Sequence, residues 1–450
     1  MMGATLSRWS MSYFAVGFVC LLSSEALMMA GFGFPATALA APDTLVLVHL
    51  VAIGWLSLLM LGALFQFVPV LIAKPLYSDT LPLPTLALLV TGLAALLTGF
   101  LQLGSSIPGS SPSFPAAAVL LGCGVTLALW NLGRTLWPAR PLPLPARFVA
   151  TGLLCAAAAT ALGIVFALVL GGVAGDPKLV NITAYGIPVH AIAGLAGWLT
   201  FTAIGVSYRL LAMFMLAPEG DTARSRAVLY FAAVALALAI LGGTAAICLG
   251  RGLNTVLIVA AVFGVCSLGL YGIDVLHLYR ARKRRTIELN ARMAAVALAN
   301  LGAVVLLAIA LIMLGQFEAQ IGAVVFLATF GWLTGLGLAK LYKIVAFLTW
   351  LECYGPVLGK IATPRVQDLV VETRATKWFW LYFAGVWTAT ALLLLSAPAG
   401  FRASAALMFI ATIGIGIELV RTRLMADVKP EMRQSYPTRR PPLPASQQAR

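Results

Sequence analysis

Two of the three histidines in this chain have surroundings that suit metal binding. His49 begins the segment His-Leu-Val-Ala-Ile-Gly-Trp, and His190 begins His-Ala-Ile-Ala-Gly-Leu-Ala-Gly-Trp. Both segments lie in long apolar stretches. Ionisable residues inside membrane helices are rare and usually functional, and neutral imidazole is a common ligand of haem iron and copper. The alternative is an interfacial histidine that bonds to a backbone carbonyl or a tyrosine.

The two histidines stand at different distances from the tryptophan that follows each of them. His49 precedes Trp55 by six residues, whereas His190 precedes Trp198 by eight. Two residues rotate a side chain by about 200° on an α-helix. The spacing therefore leaves open both two separate sites and a bis-histidine haem.

Glu25 is the carboxylate whose depth best matches that of His49. It lies about seven residues before the end of the first apolar stretch, and His49 lies about five residues after the start of the second. A carboxylate that accepts the second N–H of a ligating histidine fixes its tautomer and raises its basicity. We therefore expect Glu25 to be the partner of His49. The alternatives are capping by Ser23 or Ser24 and a protonated side chain in lipid.

The other residues capable of metal or nucleophilic chemistry favour structural interpretations. His277 lies three residues after Asp274 and close to a cluster of arginines, which predicts an interfacial His–Asp pair. Methionine suits Cu(I), but it more often fills irregular apolar gaps. The six cysteines stand singly and indicate neither a disulfide framework nor a zinc site. The methionines considered for copper are Met28, Met29, Met60, Met213 and Met215.

The composition requires that membrane-spanning helices position these residues. Of the 450 residues, 61% are hydrophobic and only 10% are charged, whereas a soluble domain has roughly 25% charged residues. At about 20 apolar residues per span, the chain has room for about a dozen spans and no sizeable soluble domain. Water-soluble enzyme folds are thereby excluded.

Hydropathy along the chain predicts an all-α polytopic membrane protein with twelve transmembrane helices. The membrane domain is expected over residues 1–425, followed by a basic, disordered cytoplasmic tail over 426–450. The predicted helices are 11–32, 44–73, 82–103, 115–135, 148–171, 187–216, 226–249, 254–279, 293–316, 319–350, 376–397 and 402–421.

The distribution of basic residues predicts the topology. Every second connection carries nearly all of the Lys and Arg residues, whereas the opposite connections hold only Lys178, Arg251 and Arg402. Lys and Arg in short loops are retained on the cytoplasmic side. We therefore expect a multi-pass protein of a bacterial cytoplasmic membrane with both termini in the cytoplasm. The net charge of +15 then reflects topology in a lipid bilayer, and nucleic acid is not expected as a partner.

The N-terminal region contains one segment that resembles a processing site. Ala38, Leu39 and Ala40 match the pattern before a signal-peptidase cleavage. We expect the segment to stay uncleaved, because the preceding apolar stretch is about 20 residues long, against 7–15 in a signal peptide, and contains Glu25.

A segment that occurs three times divides the predicted helices into units. Gly54, Gly197 and Gly331 each begin the sequence Gly-Trp-Leu-Ser or Gly-Trp-Leu-Thr. The separations between the three tryptophans are 143 and 134 residues, which is four predicted helices each time. The chain is therefore predicted to contain three pseudo-repeated four-helix units, approximately 1–146, 147–290 and 291–425.

The repeated segment admits both a packing and a ligand-binding interpretation. Each tryptophan and the residues seven and eleven positions later share one face of a helix. Small residues on such a face let helices approach closely in lipid. Lys340 and Lys343 either reach the interface with their long side chains or neutralise an acidic ligand. The residues that we expect to line a cavity are Trp55, Trp198, Tyr208 and Arg209.

Twelve helices in three four-helix arcs, with histidines near the ends of helices that repeat every four spans, resemble subunit I of haem-copper oxidases and nitric oxide reductases. They also resemble the NnrS-like haem- and copper-containing membrane proteins. The resemblance covers all twelve helices in architecture and helices 2, 6 and 10 in sequence pattern. It implies that His49 lies on the helix that holds a low-spin haem and His190 on the helix that carries a copper-ligating histidine. The implied cofactor is haem b, with copper as a further option.

The chain also departs from that family. An oxidase-type centre uses six metal-binding histidines, whereas this chain has three and its tenth predicted helix has none. Oxygen reduction, nitric oxide reduction and coupled proton pumping are therefore not expected, and the chain is not expected to be an enzyme of that kind.

Three functions are consistent with the sequence. The leading hypothesis is an accessory protein that binds haem, or a small gaseous ligand, and serves in nitric oxide or haem handling. The first alternative is a multi-pass transporter or a metal- or cofactor-insertion factor without bound haem. The second is a structural partner in a respiratory-chain complex.

Overall fold

The computed structural model describes residues 3–105, 112–218, 221–360 and 362–433, and these residues form helices and short connections without any strand. Eleven helices in this part of the chain are long and apolar enough to cross a membrane. The expected all-helical, multi-pass architecture is therefore confirmed. The long helices, in chain order, are α1 Gly3–Ala30, α2 Pro42–Ile72, α3 Pro82–Gly104, α4 Ser113–Ala139, α5 Leu144–Leu170, α6 Ile187–Met215, α7 Ala223–Cys248, α8 Leu253–Arg280, α9 Leu289–Met313, α10 Phe317–Val357, α11 Glu372–Leu394 and α12 Pro398–Arg423.

Helix α11 is not among the eleven described helices that are long and apolar enough to cross a membrane. Its first two turns carry Glu372, Arg374 and Lys377, which shortens its apolar part. It nevertheless packs lengthwise against α12. The twelfth span thus stays a prediction. Most of the predicted tail, from residue 434 onward, lies outside the described residues.

Helices α2 and α6 end in the same way. Ala73 and Leu216, each eighteen residues after its tryptophan, adopt left-handed backbone conformations with φ of 52° and 53°. A left-handed residue directly after a helix turns the chain away from the helix axis. The two helices therefore share the position of their termination as well as their sequence pattern.

Helices α2, α6 and α10 each contain a π-helical segment at the repeated sequence. The three segments are Leu50–Ser57, Ile192–Phe201 and Leu327–Thr334. Such wide turns are rare and occur frequently at functional sites. They also change the rotation between successive side chains from the value of about 100° per residue in an α-helix, so side-chain directions across them cannot be derived from α-helical spacing.

The three tryptophans of the repeat connect α2, α6 and α10 through a closed cycle of hydrogen bonds, the Trp–hydroxyl ring. Each indole N–H donates to the hydroxyl that follows the tryptophan of another of these helices by two positions. The cycle places the three repeated segments at one level in the core. The bonds run from Trp55 Nε1 to Thr334 Oγ1 (3.1 Å), from Trp332 Nε1 to Thr200 Oγ1 (3.2 Å) and from Trp198 Nε1 to Ser57 Oγ (2.9 Å).

The two ends of the helix bundle differ in charge. At the basic end, the Lys343 ammonium lies 2.7 Å from a carboxylate oxygen of Glu288, and Arg374 pairs with Glu418 and Asp427 at 2.6 Å. At the opposite end, Arg402 donates to the backbone carbonyl of Met29. The assignment of the basic end to the cytoplasm stays a prediction.

Candidate functional site

His49 and His190 lie beside one another between α2 and α6. The centroids of their imidazole rings are 6.4 Å apart, and the ring planes are inclined by 30°. Both histidines are half-buried. His49 lies immediately before the π-helical segment of α2, and His190 lies two residues before that of α6. The fold thus brings together two side chains that are 141 residues apart in the sequence.

Aromatic side chains from the neighbouring helices flank the two imidazoles. The ring of Phe100 on α3 lies 5.0 Å from His49, and the ring of Phe166 on α5 lies 5.3 Å from His190. Gly163 of α5 permits this approach, because a Cβ atom there would lie 3.3 Å from Cε1 of His190. The histidine pair is therefore held in an apolar, largely aromatic setting.

The hydrogen bonds of the imidazoles leave ring nitrogens for a ligand. Nδ1 of His49 donates to the carbonyl of Leu45 at 2.8 Å, which fixes the tautomer with a lone pair on Nε2. Nδ1 of His190 is buried and makes no hydrogen bond to the described residues, although the backbone of Ala159 lies close to the ring. A buried unsatisfied nitrogen of this kind is the donor atom that metal binding requires.

Two imidazoles are the number of protein ligands that a low-spin haem takes, and they are too few for a copper site held by protein side chains alone. Two imidazoles on opposite sides of one metal ion, each at a bond length of about 2 Å, place their ring centroids roughly 6 Å apart. The observed separation of 6.4 Å agrees with that arrangement. A copper ion held by protein side chains alone needs more ligands, and the described residues contain no group of three or more His, Cys, Asp or Glu that suits a metal.

Sequence comparison does not assign the chain to a family. No protein-family model matches it, and no curated protein is significantly similar to it. The function of the histidine pair must therefore be argued from its geometry.

The unequal distances from histidine to tryptophan do not place the two histidines in separate sites. Because the Trp–hydroxyl ring is cyclic, equivalent positions on α2 and α6 face different neighbouring helices. Residues that meet across the α2–α6 contact must therefore occupy non-equivalent positions. The π-helical turns between His49 and Trp55, and between His190 and Trp198, shift the angle further.

The expected hydrogen bond between Glu25 and His49 is wrong. Oε1 of Glu25 accepts a hydrogen bond from Thr412 of α12 at 3.0 Å, and Oε2 has no partner among the described residues. His49 instead bonds to Leu45. Similar depth along two helices does not determine which neighbouring helix a side chain faces.

The four residues expected to line a cavity make contacts between helices. Trp55 and Trp198 donate their indole N–H groups within the Trp–hydroxyl ring. Tyr208 donates to Asp274 of α8 at 2.8 Å, and Arg209 is half-buried and also engaged in a contact. A cavity of about 440 Å³ at the end of α6 is lined by other residues, namely Ala212, Met213, Leu216, Ala217 and Lys283.

The expected pair of His277 and Asp274 is also wrong. Asp274 is buried and binds Tyr208 and Arg224, whereas His277 is exposed. Arg224 comes from the start of α7, and this contact between helices takes the place of the local one. His277 therefore offers a control histidine outside the candidate site.

The two lysines of α10 have different surroundings. Lys343 forms an ion pair with Glu288, which also receives a hydrogen bond from Gln367. Lys340 is only 8% exposed, its ammonium has no hydrogen-bond acceptor among the described residues, and it lies 5.5 Å from the ring of Phe214. Of the two, Lys340 is the one left to interact with an anion.

Proposed function

We propose that this chain is an integral membrane haem-binding protein in which His49 and His190 are the two axial ligands of one haem b. The observation that carries the proposal is the 6.4 Å separation of the imidazole centroids. The hydrogen bond from His49 to Leu45 supports it, because it orients the ring and leaves Nε2 for iron. Copper receives no comparable support.

The haem, when bound, supplies one-electron chemistry. Held by His49 and His190, the iron would have no position left for a gas, so the group would serve electron transfer or sensing rather than turnover of a gas. The apolar surroundings, including Phe100 and Phe166, exclude water from the ligands and influence the redox potential. These properties fit an accessory role in nitric oxide or haem handling, or beside a respiratory-chain partner.

We further propose that α11 is a twelfth membrane span and that the chain consists of three four-helix units. The Trp–hydroxyl ring supports this division, because its three bonds are equivalent by sequence position. The matching left-handed residues Ala73 and Leu216 support it for the first two units. With an even number of spans, both termini lie on the basic side, which is the cytoplasm of a bacterial cell.

Visible absorption spectroscopy tests the haem proposal. The full chain, purified in detergent from cells supplied with a haem precursor, should have a Soret band and reduced α and β bands of a low-spin b-type haem. His49→Ala and His190→Ala should each abolish the low-spin spectrum, whereas His277→Ala should leave it unchanged. Helical content measured by circular dichroism verifies that each variant folds.

Two results would overturn the haem proposal. The first is a folded protein that stays colourless after incubation with haem. The second is a low-spin spectrum that persists when both His49 and His190 are alanine.

The second candidate function is transport of an anion. Lys340 carries this alternative, because its buried ammonium lacks an acceptor among the described residues and ionisable groups inside membrane helices mark substrate paths. Vesicles containing the purified protein should then accumulate an anionic solute, and Lys340→Met should abolish uptake while His49→Ala should not. Uptake that is the same with and without the protein would exclude transport.

A further inference from the structure

Glu25 is a buried carboxyl group that the proposed haem site does not use. Its side chain is 0% exposed, and it lies five residues before the end of α1 at Ala30. Oε1 accepts the hydroxyl hydrogen of Thr412, and Oε2 has no hydrogen-bond partner among the described residues. One half of the carboxyl group is therefore satisfied and the other half is not.

The groups around Glu25 are hydroxyls from two neighbouring helices. Thr412 and Tyr382 are both 0% exposed, and Tyr382 of α11 lies close enough to interact electrostatically with the carboxyl group. The Tyr382 hydroxyl donates to the carbonyl of Phe330 at 2.9 Å and also lies near Thr334. Thr334 is the acceptor for Trp55 in the Trp–hydroxyl ring, so the ring adjoins the surroundings of Glu25.

No cation balances Glu25 among the described residues. Arg402, at the start of α12, donates to the backbone carbonyl of Met29. From α10, Lys343 pairs with Glu288, and Lys340 lies six residues beyond Thr334 toward the basic end. The described residues of α2 and α3, which also pack against α1, form no ion pair with Glu25.

We propose that Glu25 is a reversible proton-binding site in the membrane interior. An uncompensated carboxylate is costly in a medium of low dielectric constant, so Oε2 carries the proton at neutral pH. Release of the proton to water leaves a carboxylate that the Thr412 hydroxyl stabilises. Glu25 lies five residues, about 7.5 Å along the helix axis, from the end of α1 at Ala30.

Infrared spectroscopy of the full chain in lipid tests this proposal. A protonated carboxylic acid has a C=O stretching band that is separate from carboxylate and amide bands. We expect this band at neutral pH, a downshift of the band in D₂O, and a reversible loss of intensity at alkaline pH. Glu25→Gln should remove the band completely. Glu318→Gln, which changes an exposed glutamate at the start of α10, is the matched control and should retain it.

Other buried carboxylates should not obscure the result. Asp274, Glu288 and Glu418 each form an ion pair with an Arg or Lys side chain, unlike Glu25, and all three are unchanged in Glu25→Gln. Thr412→Val is a second, nearly isosteric variant that keeps the acid but removes its hydrogen bond, so the band should move to higher frequency.

Three outcomes would overturn the proposal. They are the absence of an acid band at neutral pH, a band that persists in Glu25→Gln, and a band that responds neither to D₂O nor to pH. Because the measurement does not involve haem, it is independent of the outcome for His49 and His190.

Discussion

Removal of the Thr334 hydroxyl tests whether the Trp–hydroxyl ring stabilises the core. Thr334 and Trp55 are both 0% exposed, and the indole nitrogen and the hydroxyl oxygen are 3.1 Å apart. Valine has nearly the same shape as threonine, so Thr334→Val removes the acceptor without creating a large cavity. The indole N–H of Trp55 is then left without its partner in the membrane interior.

Two general ranges set the expected loss of unfolding free energy in Thr334→Val. An unsatisfied buried donor costs about 1–3 kcal/mol in proteins generally. Hydrogen bonds between helices in membranes contribute about 0.6 kcal/mol on average and at most about 1.7 kcal/mol. We expect Thr334→Val to lower the free energy of unfolding by about 1–1.7 kcal/mol, the range that the two sets of values share. Ser57→Ala and Thr200→Val should cost less, because these two acceptors are only half-buried.

A double-mutant cycle isolates the hydrogen bond from other effects of the substitutions. Trp55→Phe, Thr334→Val and the double variant are unfolded with a denaturing detergent in bicelles, and helix content is followed by circular dichroism. The coupling energy between the two positions should be about 0.6–1.7 kcal/mol. Trp387, which donates to Asn300 outside the ring, provides the control: Trp387→Phe combined with Thr334→Val should show almost no coupling. Equal coupling in the two cycles would refute the role of the ring.

Three further predictions concern stability. Lys340→Met should raise the free energy of unfolding in detergent by about 1–3 kcal/mol, because it removes an ammonium without an acceptor and keeps the apolar length; a lowered free energy of unfolding would mean that the ammonium is satisfied in the native protein. Gly152→Ala should cost about 1–3 kcal/mol, because its Cβ would lie 1.9 Å from a threonine hydroxyl of α6. Gly264→Ala should be neutral or stabilising, because an added Cβ atom at this position would have no neighbouring atom within 4 Å. An equal loss of unfolding free energy in the two glycine variants would contradict the packing argument. Hydrogen bonds from Arg374 and a neighbouring arginine lower the pKa of Asp427 from 3.8 to about 2. The corresponding stability should be present above a pH of about 4 and lost as the pH falls toward 2, so the wild type should lose more stability over this range than Asp427→Asn.

Hydropathy and spacing were sufficient to predict most of the helices, because a span must satisfy its own backbone hydrogen bonds in lipid. The predicted helix over 44–73 corresponds to α2, Pro42–Ile72. In the structure, the predicted helix over 319–350 continues to Val357, beyond its most apolar part. Hydropathy reports where a helix is apolar and so marks its ends only approximately.

The partners of the polar side chains could not be predicted in the same way. The ring joins Trp55 to Thr334 across 279 positions in the chain. A local sequence pattern does not determine such a pair, because the pairing depends on how the two helices are rotated relative to each other. The π-helical turns make the problem harder, because they change that rotation by amounts that the α-helical period does not contain. For this reason the expected partner of Glu25, His49, is wrong, and its partner is Thr412 of a different helix.

The repeated core explains why a histidine pair forms at only one of its helix contacts. On α10, the positions six and eight residues before Trp332 are Phe326 and Val324, which are both buried. Phe326 packs against the ring of Phe330 at 4.8 Å, so an aromatic contact occupies the level at which the other two helices carry imidazoles. The three helices thus form equivalent Trp–hydroxyl bonds, but only α2 and α6 carry histidines beside the repeated segment.

This asymmetry predicts that stability and ligand binding are separable. Thr334→Val acts on the ring at the contact between α2 and α10, so it should lower the free energy of unfolding and leave the haem spectrum of the folded protein unchanged. His49→Ala should abolish the low-spin haem spectrum. It should leave the free energy of unfolding of the haem-free protein nearly unchanged, because the imidazole's hydrogen bond among the described residues is a local one, to Leu45. A ring variant that is fully folded but has lost the low-spin spectrum would mean that the ring positions the ligands, and the two features would then have to be treated as one site.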